Sequence, residues 1–339
     1  MKIVYDGRLL AAGPSGVRDI AVGLLEGLSA LADHGKVELL VAQSSPPSRD
    51  SEISIPVRGF MHIGLPLVAL RHQADRILVP RQTVPVASAV PAVPLFHDIG
   101  FIRHREVYPN ERRIEATTRL AARARYGIAV SAFTAREMRE IGLANEVQPL
   151  PIAALHKVVS EPNLSDPYLL CVAAQQPHKN LVRLIEAWQI ARTDGIRLVI
   201  CGREGKDSAR ISELLSRSDS DKSVSIISGL SDNDYTKLLE SAWGYVQPSL
   251  YEGLCIPALD LAAAGLPMVV SSFANLGAVF SSGPSPQTFD PLSLGSIAAS
   301  LEALISDNAF RRESTHFNSS NIKMTDWEQV AYRVLGAMT

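Results

Sequence analysis

Residues 248–260, Pro-Ser-Leu-Tyr-Glu-Gly-Leu-Cys-Ile-Pro-Ala-Leu-Asp, set two carboxylates, Glu252 and Asp260, around a tight turn. An apolar run at 243–246 precedes the turn and reads as a buried strand. An Ala/Leu-rich helix at 258–264 follows, stopped by Gly265 and Pro267. Backbone N–H groups at a helix start lack intrahelical partners and attract phosphate oxygens. Carboxylates beside them accept hydrogen bonds from hydroxyls. Amides for phosphate and acids for hydroxyls together suit a sugar nucleotide. The plainer alternative is a surface turn with an acid favoured by the helix dipole. Position argues for chemistry, because open parallel sheets bind ligands at the C-terminal ends of their strands. His97 also follows an apolar strand, Val93–Phe96, and so lies at a strand's C-terminal end.

These residues need elements to hold them. The first half opens with a strand at Lys2–Tyr5 and a Gly- and Pro-containing loop at 13–16. A helix follows with apolar residues at Val17, Ile20, Ala21 and Leu24, the spacing of one helical face. Strands are expected at 37–42, 76–79, 93–96 and 127–130, with a basic helix at 112–125 and another helix at 132–141. Residues 145–167 carry prolines and asparagines without a period and read as an interdomain linker. The second half alternates strands at 168–172, 197–201, 223–227, 243–246 and 268–270 with helices at 181–191, 207–217, 234–242 and 258–264. Strands separated by helices pair in parallel through right-handed crossovers. The expected class is therefore α/β, with two doubly wound Rossmann-like domains facing a cleft. Their expected bounds are 1–155 and 165–322, with a terminal helix in 323–339.

Composition narrows the function. The 339 residues suffice for two domains, and a 46% hydrophobic content supports large cores. A net charge of -2 excludes nucleic acid as the main partner, since phosphate-backbone binders carry a basic excess. Cys171, Cys201 and Cys255 lack CxxC spacing, as befits a reducing compartment without disulfides. The first residues lack the apolar core of a signal peptide, and no run of about 18 apolar residues exists to span a membrane. A cytoplasmic chain is expected. Asp219-Ser-Asp221 and Asp232-Asn-Asp234 match a metal-chelating triplet, but Ser231 to Asp234 reads as a helix cap. No His/Cys cluster has zinc spacing.

Residues 246–260 resemble the signature of retaining GT-B glycosyltransferases of family 4. The pattern there is Pro-Ser-x-x-Glu-Gly-Phe-Gly-x-Pro-x-x-Glu. Pro248, Ser249, Glu252, Gly253 and Pro257 match; Leu254, Cys255 and Asp260 depart. Residues 169–188 are similar to the family's strand–loop–helix that carries a diphosphate-binding lysine, which falls on Lys179. Ala173-Ala174 replaces the usual Gly-Arg pair, and Arg203 after Gly202 is a candidate replacement cation. Residues 95–103 resemble the segment whose histidine faces the donor sugar, here His97. The loop at Gly16 resembles the family's Gly-rich first loop, and 325–331 its C-terminal helix, which crosses back to the first domain.

The resemblance implies a metal-independent enzyme without cofactor. It would transfer a sugar from a nucleoside-diphosphate sugar to a hydroxyl of a glycan or lipid-linked acceptor. Glu252, His97 and Lys179 would serve catalysis; Asp260, Gly253, Leu254, Cys255, Gly16, Gly202 and Arg203 would bind the donor. The overall pattern is similar to bacterial mannosyl- and rhamnosyltransferases of surface polysaccharides. Two alternatives stay open: a binder without turnover, and a GT-B epimerase or hydrolase of the sugar nucleotide. The basic helix reads as a solvated face or as a peripheral contact with the inner membrane surface.

Overall fold

A computed structural model describes residues 1–13, 15–44, 46, 51–108, 111–144, 146–151, 154, 156–193, 195–217, 223–280, 287–322 and 324–339. The chain divides into two α/β units. Unit 1 comprises Met1–Arg105, Pro109–Leu155 and Thr325–Thr339; unit 2 comprises Glu106–Tyr108 and His156–Met324.

Unit 1 holds strands β1 (Lys2–Asp6), β2 (Glu38–Gln43), β3 (Glu52–Ser54), β4 (Arg76–Val79), β5 (Ala92–Phe96), β6 (Ile128–Ala129) and β7 (Gln148–Pro149). Among the described residues they form one parallel sheet in the order β3-β2-β1-β4-β5-β6-β7. Unit 2 holds β8 (Tyr168–Val172), β9 (Arg197–Cys201), β10 (Val224–Ile227), β11 (Gly244–Gln247), β12 (Met268–Ser271) and β13 (Thr288–Phe289). Their order, β10-β9-β8-β11-β12-β13, repeats that of unit 1, and all pairs are again parallel. Each unit is thus the doubly wound Rossmann-like sheet that the alternation of elements implied.

The apolar runs form strands because helices cover the sheets and a parallel strand is buried on both faces. In unit 2, Leu169, Cys171, Leu198, Ile200, Val246 and Val269 pack against Leu181, Leu184, Ile185 and Trp188 of the helix Leu181–Ile190. In unit 1, Val4, Ile77 and Val79 pack with Phe60 and Leu65.

The structure differs from the sequence reading at several places. The basic helix spans Arg112–Ala121, and the chain turns at 122–126 instead of continuing helical to 125. Residues 145–167, read as a linker, contain β7. The helices Leu65–Arg71, Ala274–Phe280, Leu294–Ser306 and Asn308–Asn321 were not expected.

The helix Trp327–Gly336 belongs to unit 1 and packs on the helix Gly16–Asp33. Asp326 caps it by accepting the Glu328 N–H at 2.8 Å. Two glycines admit it. A Cβ on Gly23 would stand 1.8 Å from Trp327 Cε2, and one on Gly27 2.0 Å from the Trp327 carbonyl oxygen. The sheet order therefore closes with a helix supplied from the far end of the sequence.

Candidate functional site

In unit 2 the strand order changes direction between β8 and β11. Crevices outside such switch points are where open α/β sheets take ligands. Lys179 ends a short 3-10 turn, Pro177–Lys179, in the loop after β8; Glu252 lies in the loop after β11. Lys179 Nζ stands 2.7 Å from Glu252 Oε1. The same oxygen accepts from Ser249 Oγ at 2.7 Å and Gln247 Nε2 at 3.3 Å. Glu252 is buried, and the lysine side chain is 20% exposed.

The two loops are stitched together. The Leu250 N–H donates to the His178 carbonyl at 2.8 Å. Asn180 Nδ2 donates to the carbonyls of Pro248 at 3.1 Å and Pro291 at 2.8 Å. Asn180 itself takes a left-handed conformation, φ 58°, and makes no side-chain cap to the helix that follows. Its side chain thus ties the loops together. The His178 ring stacks on Tyr108 with centroids 4.2 Å apart, and Tyr251 meets Tyr108 edge-on at 6.3 Å. Burial, then Lys179 and Lys206, push the His178 imidazole far below its ordinary pKa, so it is neutral.

Asp260 sits in the helix Ile256–Ala263 and is buried. Both of its oxygens are engaged by one residue. Oδ1 accepts the His156 backbone N–H at 3.0 Å, and Oδ2 lies 2.6 Å from His156 Nδ1. Sequence reasoning missed His156, which lies in a stretch read as linker and carries no motif. Gly253 and Cys255 are buried and Leu254 is half-buried. Burial, the largest cause, and Glu252 push the Cys255 thiol up to about 12, which leaves it un-ionised. Gly202 has a structural reason to be glycine: a Cβ there would meet the Ala173 carbonyl oxygen at 2.0 Å. Arg203 is exposed, and its carbonyl accepts the Gln175 N–H at 3.0 Å.

The remaining candidates lie in unit 1. His97 follows β5, and its Nε2 faces the Pro80 carbonyl at 3.0 Å. A carbonyl only accepts, so Nε2 carries the proton. Burial outweighs that hydrogen bond, Arg81 adds repulsion, and the pKa falls to about 4. The neutral ring keeps an Nδ1 lone pair that can accept from a hydroxyl. Asp98 Oδ1 accepts the Gly100 N–H at 3.1 Å and holds that loop. Gly16 opens the helix Gly16–Asp33, capped by Ser15 Oγ. Ser231 caps its helix as read, and Ser131 caps the helix Ala132–Glu140. Asp219 and Asp221 lie outside the described residues. Among the described residues no group of three or more His, Cys, Asp or Glu is placed to hold a metal, and no helix is long and apolar enough to cross a membrane.

A buried lysine–glutamate pair thus lines the switch point of unit 2. Residues 154–320, nearly all of unit 2, match the family model described as glycosyl transferases group 1. The chain thus carries a group 1 glycosyltransferase domain of GT-B type. It is 23% identical over 266 residues to O-antigen chain mannosyltransferase B of Escherichia coli, covering 73% of this chain and 69% of that protein. The fold is shared with WaaG, a glycosyltransferase involved in lipopolysaccharide biosynthesis, at TM-score 0.76, 14% identity and full coverage of both chains. It is also shared with Anabaena Alr3699/HepE in complex with UDP and glucose, at TM-score 0.75 and 14% identity, over 99% of this chain and 100% of that one.

Proposed function

We propose that the protein moves a sugar, mannose or rhamnose, from a nucleoside-diphosphate sugar to a hydroxyl of a glycan or lipid-linked acceptor, with retention at the anomeric carbon. The observation that carries this reading is the Lys179–Glu252 pair at the switch point of unit 2. The mannosyltransferase relative and the UDP- and glucose-bound neighbour support the donor class.

The chemical difficulty is negative charge on the departing diphosphate. Lys179 stabilises it as a fixed cation, joined by the amides of residues 253–255, and no metal is required. Glu252 is held by Ser249 and Gln247, so it can exchange its lysine partner for sugar hydroxyls without moving its backbone. The aromatic pair His178–Tyr108 covers one side of the lysine loop. His97, neutral, accepts a sugar hydroxyl at Nδ1. The O-antigen relative supports a role in bacterial surface-polysaccharide synthesis, which this reading places at the inner face of the membrane. The basic helix Arg112–Ala121 would offer the peripheral contact.

A second reading, a nucleotide-sugar binder without turnover, draws on Asp260. The acid expected to meet the ribose is already filled by His156. One experiment separates the two. Nucleotide sugars are screened by thermal shift, where a ligand at about 100 times its Kd adds roughly 2.7 kcal/mol. Stabilising donors are then tested for transfer with wild type and Glu252→Gln. Transfer by wild type and its loss in Glu252→Gln with binding retained support the enzyme. Binding without transfer by wild type to any glycan or lipid acceptor favours the binder, and no shift with any nucleotide sugar sinks both.

A further inference from the structure

The first sheet has its own switch point, between β1 and β4, and its C-terminal edge is charged. Asp6 ends β1, and Arg8 closes on it. Arg8 Nε donates to Asp6 Oδ1 at 2.9 Å and Nη2 to Oδ2 at 2.6 Å. The Arg8 guanidinium also lies over the Phe60 ring, 4.6 Å from its centroid. Asp6 is 1% exposed, and Arg8 engages both of its oxygens.

Arg81 stands beside this pair, two residues past the end of β4. Its backbone is fixed, because its carbonyl accepts the Leu95 N–H from β5 at 3.2 Å. Its side chain is half-buried. Among the described residues its guanidinium makes no hydrogen bond and no ion pair. Asp6 and Arg8 act on it with opposite sign, and burial weakens its hold on the proton. His97, just past the end of β5, is neutral and adds no charge. One positive charge is therefore left without a partner on a rigid edge of the sheet, where such folds take ligands. A guanidinium in that setting offers a planar fork of donors that matches phosphate oxygens in pairs.

We propose that Arg81, oriented beside the locked Asp6–Arg8 pair, is an anion site of unit 1 that takes a phosphate or diphosphate group. On the glycosyltransferase reading, that group belongs to a phosphorylated acceptor. Arg81 belongs to unit 1 and Lys179 to unit 2.

Inorganic pyrophosphate is titrated calorimetrically at fixed ionic strength into wild type, Arg81→Gln, Lys179→Gln and the double variant. Pyrophosphate binding survives Lys179→Gln and weakens about 10- to 100-fold on adding Arg81→Gln. Without anion, Arg81→Gln melts no lower than wild type, because it removes an unpartnered charge; a purely structural arginine would lower the melting temperature. Farnesyl diphosphate in a parallel titration separates the sources. Tighter binding than pyrophosphate, with the same Arg81 dependence, marks a lipid-borne group; equal binding marks the diphosphate alone. The proposal is overturned if wild type binds no pyrophosphate, if Lys179→Gln alone abolishes binding, or if Arg81→Gln changes nothing. Nucleotide sugars titrated into the same wild type test the transferase reading apart, since its failure leaves the pyrophosphate result intact.

Discussion

Cutting the Lys179–Glu252 pair from either side should give unequal losses. The contact is 2.7 Å, with side chains 20% and 9% exposed. Lys179→Met leaves a carboxylate in a nearly dry setting, with Ser249 and Gln247 as its neutral donors. Breaking a buried pair by removing one partner costs about 3–5 kcal/mol, and those two donors place this case near the lower end. Glu252→Gln leaves the other charge, but a lysine can extend its ammonium toward water, so the loss is about 1–2 kcal/mol. With both charges gone no uncompensated ion remains. The double variant should then lose roughly 2 kcal/mol less than the two singles summed. The assay is urea or thermal unfolding at pH 7 followed by tryptophan emission, since Trp188 and Trp243 both report on unit 2. At roughly 2–4 °C per kcal/mol, Lys179→Met lowers the melting temperature by about 6–12 °C. A loss below about 1 kcal/mol for that variant would be the signature of a surface bridge and would refute the reasoning. Strict additivity would refute it too.

Gly23→Ala should destabilise, although alanine is the better helix former by about 1 kcal/mol, because the new methyl meets the Trp327 ring; overpacking costs about 1–3 kcal/mol, read as a lower melting temperature. His156→Ala removes the imidazole from Asp260 and should cost about 1–3 kcal/mol in unfolding titrations; no loss would mean that the clasp carries no weight. His97 binds its proton at about 4 when folded, against roughly 6.5 unfolded. Between these values the unfolded chain holds a proton that the folded chain lacks. Stability is therefore full above about pH 6.5 and falls as pH drops toward 4, by up to about 3 kcal/mol. His97→Asn should flatten that slope, measured by unfolding at pH 5 and pH 7.5.

The long elements were legible because their signals are local. Tyr168–Val172 and Arg197–Cys201 are apolar runs that only a covered parallel sheet can use. The strands that escaped notice, β3, β7 and β13, are two or three residues long and sit at or near sheet edges, where burial imposes no pattern. The polar helix Asn308–Asn321 hid for a related reason. Its buried positions include Ser314 and Asn318, which bond to Met268 at the start of β12 and to Leu266 instead of packing as hydrophobes. At the site, Glu252 was visible through its place after a strand and Lys179 through the family resemblance, although their direct contact was not. A pair 73 residues apart has no signature in spacing. His156 on Asp260, and Arg81 beside Asp6–Arg8, are likewise products of strand order, because sheet neighbours come from distant parts of the chain.

The return of Thr325–Thr339 to unit 1 has a consequence in time. Trp327 fills the groove over Gly23 and Gly27 but is made roughly 300 residues after them. At 5–20 residues per second that is about 15–60 s of synthesis. Throughout that interval the first helix lacks this cover, while unit 2 is being made. Unit 2, which ends at Met324, is thus complete in sequence before unit 1, which is begun first and finished last. A chain cut before residue 325 would carry the whole second unit and an open first one, and the groove over Gly23 and Gly27 is where a chaperone or a misplaced strand would find it.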